Sequence, residues 1–420
     1  MIIPHLAESD YREPLLTFSL PDGLAARLGV NPTIVYGLFL PCEIFWIEVL
    51  SLVCLTTITA ALTASIVYHF IVGPKKSETS TAFFLGYGVL LPFWLGWPFF
   101  IYPLLDVRNL LLKFVVGGVI PTLMEFRLLE AIHGCCPEHA TTSLQHFVFY
   151  FASVLVFERD PKTNALMSAT TGMKLKHLQN FVGLVFLMGA FQSILSLYQD
   201  FNVFGKPIGQ DGWYSFDRFM SWELYANSLL HAMMFQIYLT TYGEGLTACW
   251  FVVTGYQTKR VMNNPLGGAT SPSDFWGRRW NMIVQSVLKG GVYKPMRKHQ
   301  YSPTIAAIST FLMSGLFHEW LIFGLFATAC AADPAGSSCH RPLYGGAMVF
   351  FGWQALLIAF EYMWGRTPAL QRMSHHLPTS VRTLIIIGLG LPLAHFFCEP
   401  YVRTGFFRHG QIGLPMIIPL

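Results

Sequence analysis

Long apolar runs separated by short polar stretches dominate the hydropathy pattern of this 420-residue chain. A helix that spans a bilayer needs about 20 mostly apolar residues. Residues 34–71 predict two spans, or one span with a bent half, and residues 224–254 are too long for one straight span. Further spans are predicted at 82–105, 181–198, 304–329, 343–363 and 384–397, with shorter apolar pieces at 110–123 and 147–157. We therefore predict an all-α integral membrane protein, a multi-span bundle of about eight or nine transmembrane helices.

The composition indicates a bilayer as the solvent for most of the chain. Hydrophobic residues make up 53% of it and charged residues only 12%, whereas soluble domains carry about 25% charged residues. We predict a polar N-terminal segment, 1–33, followed by one polytopic membrane domain, 34–420. The N-terminus lacks the basic and apolar regions of a cleaved signal peptide. The first spans are therefore expected to direct insertion, and the expected location is the endoplasmic reticulum.

The longest polar stretch, residues 256–300, is strongly basic. It contains eight Lys and Arg residues and a single acid, Asp274, so its formal charge is +7. Positively charged loops remain on the cytosolic side of a membrane, which predicts that this segment is cytosolic. The next span then places the loop between Cys330 and Cys339 on the far side, where both a disulfide and two free thiols are compatible with the sequence.

A helix is predicted to begin inside this basic segment, at SPSDFWGRRWNMIVQSVL (271–288). Ser271 fits the N-cap and Pro272 the first helical position, and Asp274 completes a near capping box. Asp274, Arg278, Asn281 and Gln285 recur at helical spacing, so a continuous helix would have one polar face. The alternative interpretation is a basic amphipathic helix that lies on the lipid headgroups.

Two ionisable residues, His318 and Glu319, lie side by side within the apolar run 304–329. An ionisable group inside a span costs about 2.5–3.5 kcal/mol on insertion scales and indicates a functional role. His318 fits a general base, because imidazole titrates near neutral pH, and Ser314 lies one turn earlier, where it would orient a ring nitrogen. His318 also fits a buried histidine that hydrogen-bonds across helices. Glu319 fits pairing with a neighbouring helix better than action together with His318.

No metal site is predicted from the sequence. The stretch HEWLI (318–322) lacks the second histidine of the zinc motif HExxH. The sequence also has no phosphate-binding glycine loop and no nucleophile elbow.

The stretches DFWGRRWN (274–281) and SGLFHEW (314–320), in this order, resemble motifs of the membrane-bound O-acyltransferases. The resemblance is greatest to the wax synthase-like branch, which includes plant wax synthases and acetyltransferases of fungal secondary metabolism. It covers roughly residues 270–320. It implies a spanning bundle with an intramembrane tunnel, a buried histidine at the midpoint of that tunnel, and acyl-CoA that arrives from the cytosol.

Position by position, the resemblance assigns the catalytic histidine to His318 and the active-site asparagine to Asn281. Asn281 fits either a donor to the oxyanion or a group that holds the thioester. Ser314 matches a small polar residue one turn before the histidine, and Gln285 stands where distant relatives have a histidine. The remaining supporting residues are Glu319, Asp274 and Trp280.

The basic residues nearest these motifs are predicted to bind CoA. CoA carries several phosphates, and a segment of charge +7 would attract them. Arg278, Arg279 and Lys289 are the predicted partners, although each also fits a topology signal or a lipid-headgroup contact. Arg278 alternatively fits an ion pair with Asp274 one turn earlier.

The expected activity is transfer of an acyl group from acyl-CoA to the hydroxyl of a lipophilic acceptor, without an acyl-enzyme. The resemblance favours acetyl-CoA and a terpenoid or meroterpenoid alcohol of secondary metabolism, with fatty-alcohol acylation by a wax ester synthase as the alternative. A transporter that relays protons is a third interpretation, but no inverted repeat is visible. Acyl-CoA is expected as co-substrate with no further cofactor, membrane lipids as partners, and no nucleic acid.

Overall fold

The computed structural model describes residues 13–28, 31, 33–198, 201–205, 221–327, 344–364, 367 and 376–420. This part of the chain is mostly helical, as predicted. The helices are α1 (Asp22–Leu28), α2 (Glu43–Val72), α3 (Ser80–Leu105), α4 (110–132), α5 (Glu138–Thr141), α6 (Leu144–Ala152), α7 (Thr171–Leu195), α8 (Trp222–Thr254), α9 (Pro265–Gly268), α10 (Pro272–Arg278), α11 (282–298), α12 (Pro303–Ala327), α13 (Gly346–Trp364), α14 (Thr379–Gly390), α15 (Ala394–Arg403) and α16 (Phe406–Gln411).

Five of the described helices are long and apolar enough to span a bilayer: α2, α3, α7, α12 and α13. The pair α14–α15, bent by 71°, gives a sixth if it counts as one span. The predicted eight or nine spans are therefore not confirmed. Residues 34–71 contribute one continuous span instead of two, and α8 is a single helix of 33 residues, about 50 Å long.

A small sheet, which the all-α prediction missed, joins the two ends of the chain. It consists of β1 (Leu16–Ser19), β2 (Val35–Phe39) and β3 (Met416–Pro419), in that spatial order and with both pairs antiparallel. The register pairs Tyr36 with Pro419 and Phe39 with Met416. The predicted polar segment 1–33 thus contributes a strand to the fold.

The helices α4 and α11 cross at close range because two glycines lie at the crossing. A Cβ atom at Gly291 would lie 2.4 Å from the carbonyl oxygen of Phe126, and one at Gly290 would lie 2.7 Å from the carboxylate of Glu130. Glu130 is buried and accepts a hydrogen bond from Lys294 at 2.9 Å. Only glycine fits so close an approach of two backbones.

The turn between α2 and α3 lies beside the end of the basic segment. Glu78 in this turn forms an ion pair with Lys298 at 3.0 Å. The same turn carries Lys75 and Lys76, which are both exposed. This contact places two further lysines on the face on which the basic segment lies, and with Glu78 the turn has a formal charge of +1.

Candidate active site

His318 lies in the middle of α12 and has one ring nitrogen committed to the backbone. Its Nδ1 lies 2.7 Å from the carbonyl oxygen of Ser314. A carbonyl oxygen can only accept, so Nδ1 carries the proton and Nε2 presents a lone pair. Among the described residues, none forms a hydrogen bond with Nε2. The residue that orients the ring is Ser314, as the helical spacing suggested, but through its carbonyl group.

Aromatic rings fix the plane of the imidazole. The ring of Phe351 on α13 stacks on it with centroids 4.7 Å apart, and Phe397 on α15 meets it edge-on at 5.2 Å. Phe317 contacts it from the same helix at 4.6 Å. The imidazole therefore lies among apolar rings with a fixed tautomer, which is the arrangement that a neutral base requires.

Glu319, the neighbour of His318, contacts the adjacent helix α13. Its Oε2 accepts from the backbone N–H of Gly345 at 2.8 Å, and its Oε1 accepts from Ala347 and Met348 at 2.8 and 3.2 Å. These donors are unpaired amides of the first turn of α13, where a negative charge is favourable. For Glu319, the structure therefore selects pairing with a neighbouring helix.

The helix predicted at Ser271 is present but ends early. Ser271 caps α10, and its hydroxyl accepts from the backbone N–H of Asp274 at 3.1 Å. The helix ends at Arg278, and a new helix begins at Met282. The prediction of one continuous polar face over 274–285 is therefore wrong.

Asp274 is buried within this segment and binds both neighbouring arginines. Its Oδ1 lies 3.2 Å from Nε of Arg278, and its Oδ2 lies 2.7 Å from Nε of Arg279. Thr270 donates to Oδ2 through its amide and its hydroxyl. Burial raises the pKa of Asp274, but the hydrogen bonds from Arg279 and Thr270 outweigh burial and hold this pKa below its ordinary value.

Asn281 forms the break between α10 and α11. Its backbone is left-handed, with φ 42° and ψ 70°, a conformation that asparagine tolerates better than most residues. Its Oδ1 accepts from the backbone N–H of Val284 at 3.2 Å, which caps α11. This bond fixes the amide orientation and leaves the Nδ2 hydrogens as donors, since no described residue accepts from them.

One cavity of about 500 Å³ brings the two motifs together. It is lined by both His318 and Asn281, and by helices α8, α10, α11, α12, α13, α14 and α15. Most of its wall is apolar, including Phe350, Ile386 and Leu391. The predicted site residues in its lining are His318, Asn281, Ser314, Gln285, Trp280, Arg278 and Lys289.

Three predicted site residues lie outside this lining. Glu319 binds the N-terminus of α13, and Asp274 binds Arg278, Arg279 and Thr270. The side chain of Arg279 is 23% exposed and binds Asp274, with a longer contact to the carbonyl oxygen of Asn263 at 3.4 Å. The Arg278 side chain is 73% exposed and lines the cavity as well as contacting Asp274.

Two polar residues of α13, Gln354 and Glu361, were not among the predicted site residues. The Oε1 of Gln354 accepts from the indole N–H of Trp276 at 3.2 Å, and its Nε2 donates to the carbonyl oxygen of Gly390 at 3.1 Å. Glu361 accepts from the backbone N–H and the hydroxyl of Ser273. A glutamine inside the apolar stretch FGWQALL (351–357) was the available signal.

Elsewhere in the described chain, Glu78, His133 and His299 place potential metal-ligand atoms within 4.8 Å of one another. Lys298 lies 3.0 Å from the carboxylate of Glu78 and holds its pKa below the ordinary value. The ammonium group already supplies the positive charge that a metal ion would bring, so we describe this cluster as an ion-pair network. The predicted Cys330–Cys339 loop lies outside the described residues.

The match to known proteins falls on the segment that carries these motifs. Residues 259–338 match the membrane bound O-acyl transferase family. This match supports a relationship of the chain to the membrane-bound O-acyltransferase superfamily. The matched residues include α10, α11 and His318.

Curated relatives from Arabidopsis thaliana match the chain over partial lengths. The chain is 48% identical over 62 residues to probable long-chain-alcohol O-fatty-acyltransferase 9, and 44% identical over 61 residues to acyl-CoA–sterol O-acyltransferase 1; each match covers 13% of this chain and 18% of the relative. It is 28% identical over 165 residues to probable long-chain-alcohol O-fatty-acyltransferase 3, which covers 38% of this chain and 44% of the relative. The chain thus spans less than half the length of these relatives. The names of these relatives favour the predicted resemblance to plant wax synthases. The predicted resemblance to fungal acetyltransferases remains a prediction.

Proposed function

We propose that this protein is a membrane-embedded, acyl-CoA-dependent O-acyltransferase that acts on a lipophilic alcohol. The observation that carries the proposal is the shared cavity. A histidine and an asparagine line the same largely apolar space, and within the described part of the chain neither Nε2 of the histidine nor the amide hydrogens of the asparagine have a partner. Acyl transfer requires a base for the hydroxyl and a donor for the developing oxyanion.

The proposed reaction is a direct transfer between two bound substrates. Nε2 of His318 takes the proton of the alcohol as the alcohol oxygen attacks the thioester carbonyl carbon. The amide of Asn281 donates to the oxyanion of the tetrahedral intermediate. Collapse of the intermediate breaks the carbon–sulfur bond, and His318 returns the proton to the thiolate, which releases CoA and the ester.

Arg278 and Lys289 are the proposed partners of the CoA phosphates. Both line the cavity and both belong to the basic segment, whose charge of +7 favours an anionic ligand on the same face. Arg279 does not line the cavity and is committed to Asp274. We therefore propose two of the three predicted CoA-binding residues, Arg278 and Lys289. We propose that Arg279 instead stabilises the fold through its ion pair with Asp274.

For the substrates, we propose a fatty acyl group and a fatty alcohol or a sterol. The names of the relatives refer to these substrates, and the apolar lining suits long hydrocarbon groups. Acetyl transfer to a terpenoid alcohol, the first expectation from the sequence, stays as the second candidate because it needs the same two groups. The proposed location is the endoplasmic reticulum, where such substrates would arrive from the lipid phase.

The test is turnover by the purified protein in detergent. Radiolabelled acyl-CoA of acetyl, medium and long-chain length is incubated with a fatty alcohol, a sterol or a terpenoid alcohol, and the ester is identified by mass spectrometry. We expect ester formation with long-chain acyl-CoA that depends on His318. Esters from acetyl-CoA alone would select the second candidate. No ester from any pair, with folded protein, would favour the transporter interpretation.

A further inference from the structure

Helix α13 contacts both halves of the proposed active site. At its N-terminus, three backbone amides bind Glu319, the residue directly after His318. Near its middle, Phe351 stacks on the imidazole. Two contacts therefore fix the position of His318 relative to α13: the cap by Glu319 and the stacking of Phe351.

The same helix also holds the start of α10. The Oε2 of Glu361 accepts from the backbone N–H of Ser273 at 2.7 Å, and its Oε1 accepts from the hydroxyl of Ser273 at 2.6 Å. Two turns earlier on α13, Gln354 accepts from Trp276 at 3.2 Å. These bonds join residues that lie 88 and 78 positions apart in the sequence.

A displacement of α10 would be passed on to Asn281. The end of α10 is fixed to the following residues by the bond from the N–H of Trp280 to the carbonyl oxygen of Phe275 at 2.8 Å. Asn281 follows directly and is the N-cap of α11. The segment from Ser273, which Glu361 binds, to Asn281 is therefore short and internally hydrogen-bonded, so a shift of its start would reach Asn281.

Resting on the proposed function, we infer that Glu361 is a positioning residue: by holding the first turn of α10, it sets the place of Asn281 relative to His318. Glu361 does not line the cavity, and its action runs through Asn281. Its carboxylate lies at the N-terminus of a helix, where negative charge is favourable. A misplacement of about 1 Å can lower a catalytic rate about 100-fold.

The experiment is a double-mutant cycle between Glu361 and Asn281. We expect Glu361→Ala to lower kcat by roughly 10–100-fold, with Glu361→Gln retaining more activity because its carbonyl oxygen still accepts from Ser273. In the Asn281→Ala background, Glu361→Ala should cause no further loss beyond about twofold. Equal fold losses in both backgrounds, or an unchanged kcat for Glu361→Ala, would overturn the inference.

Glu244→Gln is the matched control. Glu244 also joins two helices, through His177 at 2.6 Å, but neither residue lines the cavity. We expect this variant to lower thermal stability without coupling to Asn281. Hydrogen–deuterium exchange gives a readout without activity: exchange in α10 should rise in Glu361→Ala and stay unchanged in Glu244→Gln. An inactive wild type with this exchange pattern would reject the proposed function alone, whereas unchanged exchange would reject the positioning contact.

Discussion

At the scale of single residues, the imidazole of His318 has two nitrogens with different tasks. Nδ1 binds a backbone carbonyl group that no side-chain substitution removes, and Nε2 is the proposed acceptor of the alcohol proton. We predict that His318→Ala lowers turnover by about 10²–10⁴-fold, the usual contribution of a general base, while the protein still inserts and folds. The measurement is steady-state turnover beside a melting curve.

His299→Ala serves as the control for that variant, because His299 is exposed and does not line the cavity. It should keep near wild-type turnover. A folded His318→Ala protein with wild-type turnover would rule out His318 as the base.

Asn281 has an observed task as the cap of α11 and a proposed task as the oxyanion donor, on two different atoms that substitutions can separate. Asn281→Asp keeps an oxygen for the amide of Val284 but loses the Nδ2 donor, whereas Asn281→Ala loses both. We predict that both variants lose about 10²–10³ in kcat, as for removal of an oxyanion donor. Only Asn281→Ala should also lose about 0.5–2 kcal/mol of stability, the usual effect of removing an N-cap.

Kinetics in both substrates and thermal melting measure these two effects. If the Michaelis constant for acyl-CoA rises while kcat stays constant, Asn281 holds the thioester instead. Activity equal to wild type in Asn281→Asp would leave Asn281 as a cap alone.

Charge distinguishes the residues proposed to bind CoA. We predict that Arg278→Gln and Lys289→Gln weaken acyl-CoA binding at low salt, and that the effect shrinks as salt rises, because exposed charges are screened over about 8–10 Å at 0.1–0.15 M. Arg279→Gln, with its side chain held by Asp274, should instead lower the melting temperature. Binding of acyl-CoA at two salt concentrations checks the first statement, and a melting curve checks the second. Wild-type affinity in all three variants would leave the basic segment as a topology signal alone.

At the scale of elements, the stability of α10 and of its junction with α11 depends on Asp274. This buried carboxylate accepts from Arg279 and Thr270, and its pKa is held below 3.8, its ordinary value. A depressed pKa in the folded state means that the stabilisation is present at neutral pH and is lost as the pH falls through the folded value.

We predict that Asp274→Asn costs about 1.5–3 kcal/mol at pH 7, the range for hydrogen bonds to charged groups. The difference from wild type should decrease as the pH falls below about 4. Melting temperatures of both proteins at pH 7 and at pH 4 or below provide the measurement. A constant difference across this range would mean that ionised Asp274 contributes nothing to the stability of α10.

At the scale of the whole molecule, the orientation in the membrane decides from which side the proposed substrate, acyl-CoA, would arrive. The ion pair between Glu78 and Lys298 places the turn 73–79 on the face of the basic segment. We predict that single cysteines at Lys75 and Gln300 react with an impermeant maleimide from the cytosolic side, and a cysteine at Ser337 from the opposite side. The background has its reactive native thiols replaced.

This labelling tests the fold and the orientation separately. Opposite-side labelling of Lys75 and Gln300 would contradict the contact between the turn and the basic segment. Same-side labelling of Gln300 and Ser337 would contradict a single crossing by α12 and with it the cytosolic route for acyl-CoA.

The sequence by itself determined the membrane character, the start of α10 and the two motif residues His318 and Asn281. Each of these depends on signals within a few residues, such as an apolar run, a Ser-Pro-x-Asp cap or a motif. Only the tertiary structure decided the break at Asn281, the pairing of Arg279 with Asp274, and the sheet that joins residue 36 to residue 419. It alone showed that Glu319 and Glu361 cap helices instead of lining the cavity. Hydropathy and cap patterns describe local preference, whereas the partner of a carboxylate lies wherever packing brings an unpaired amide within about 3 Å.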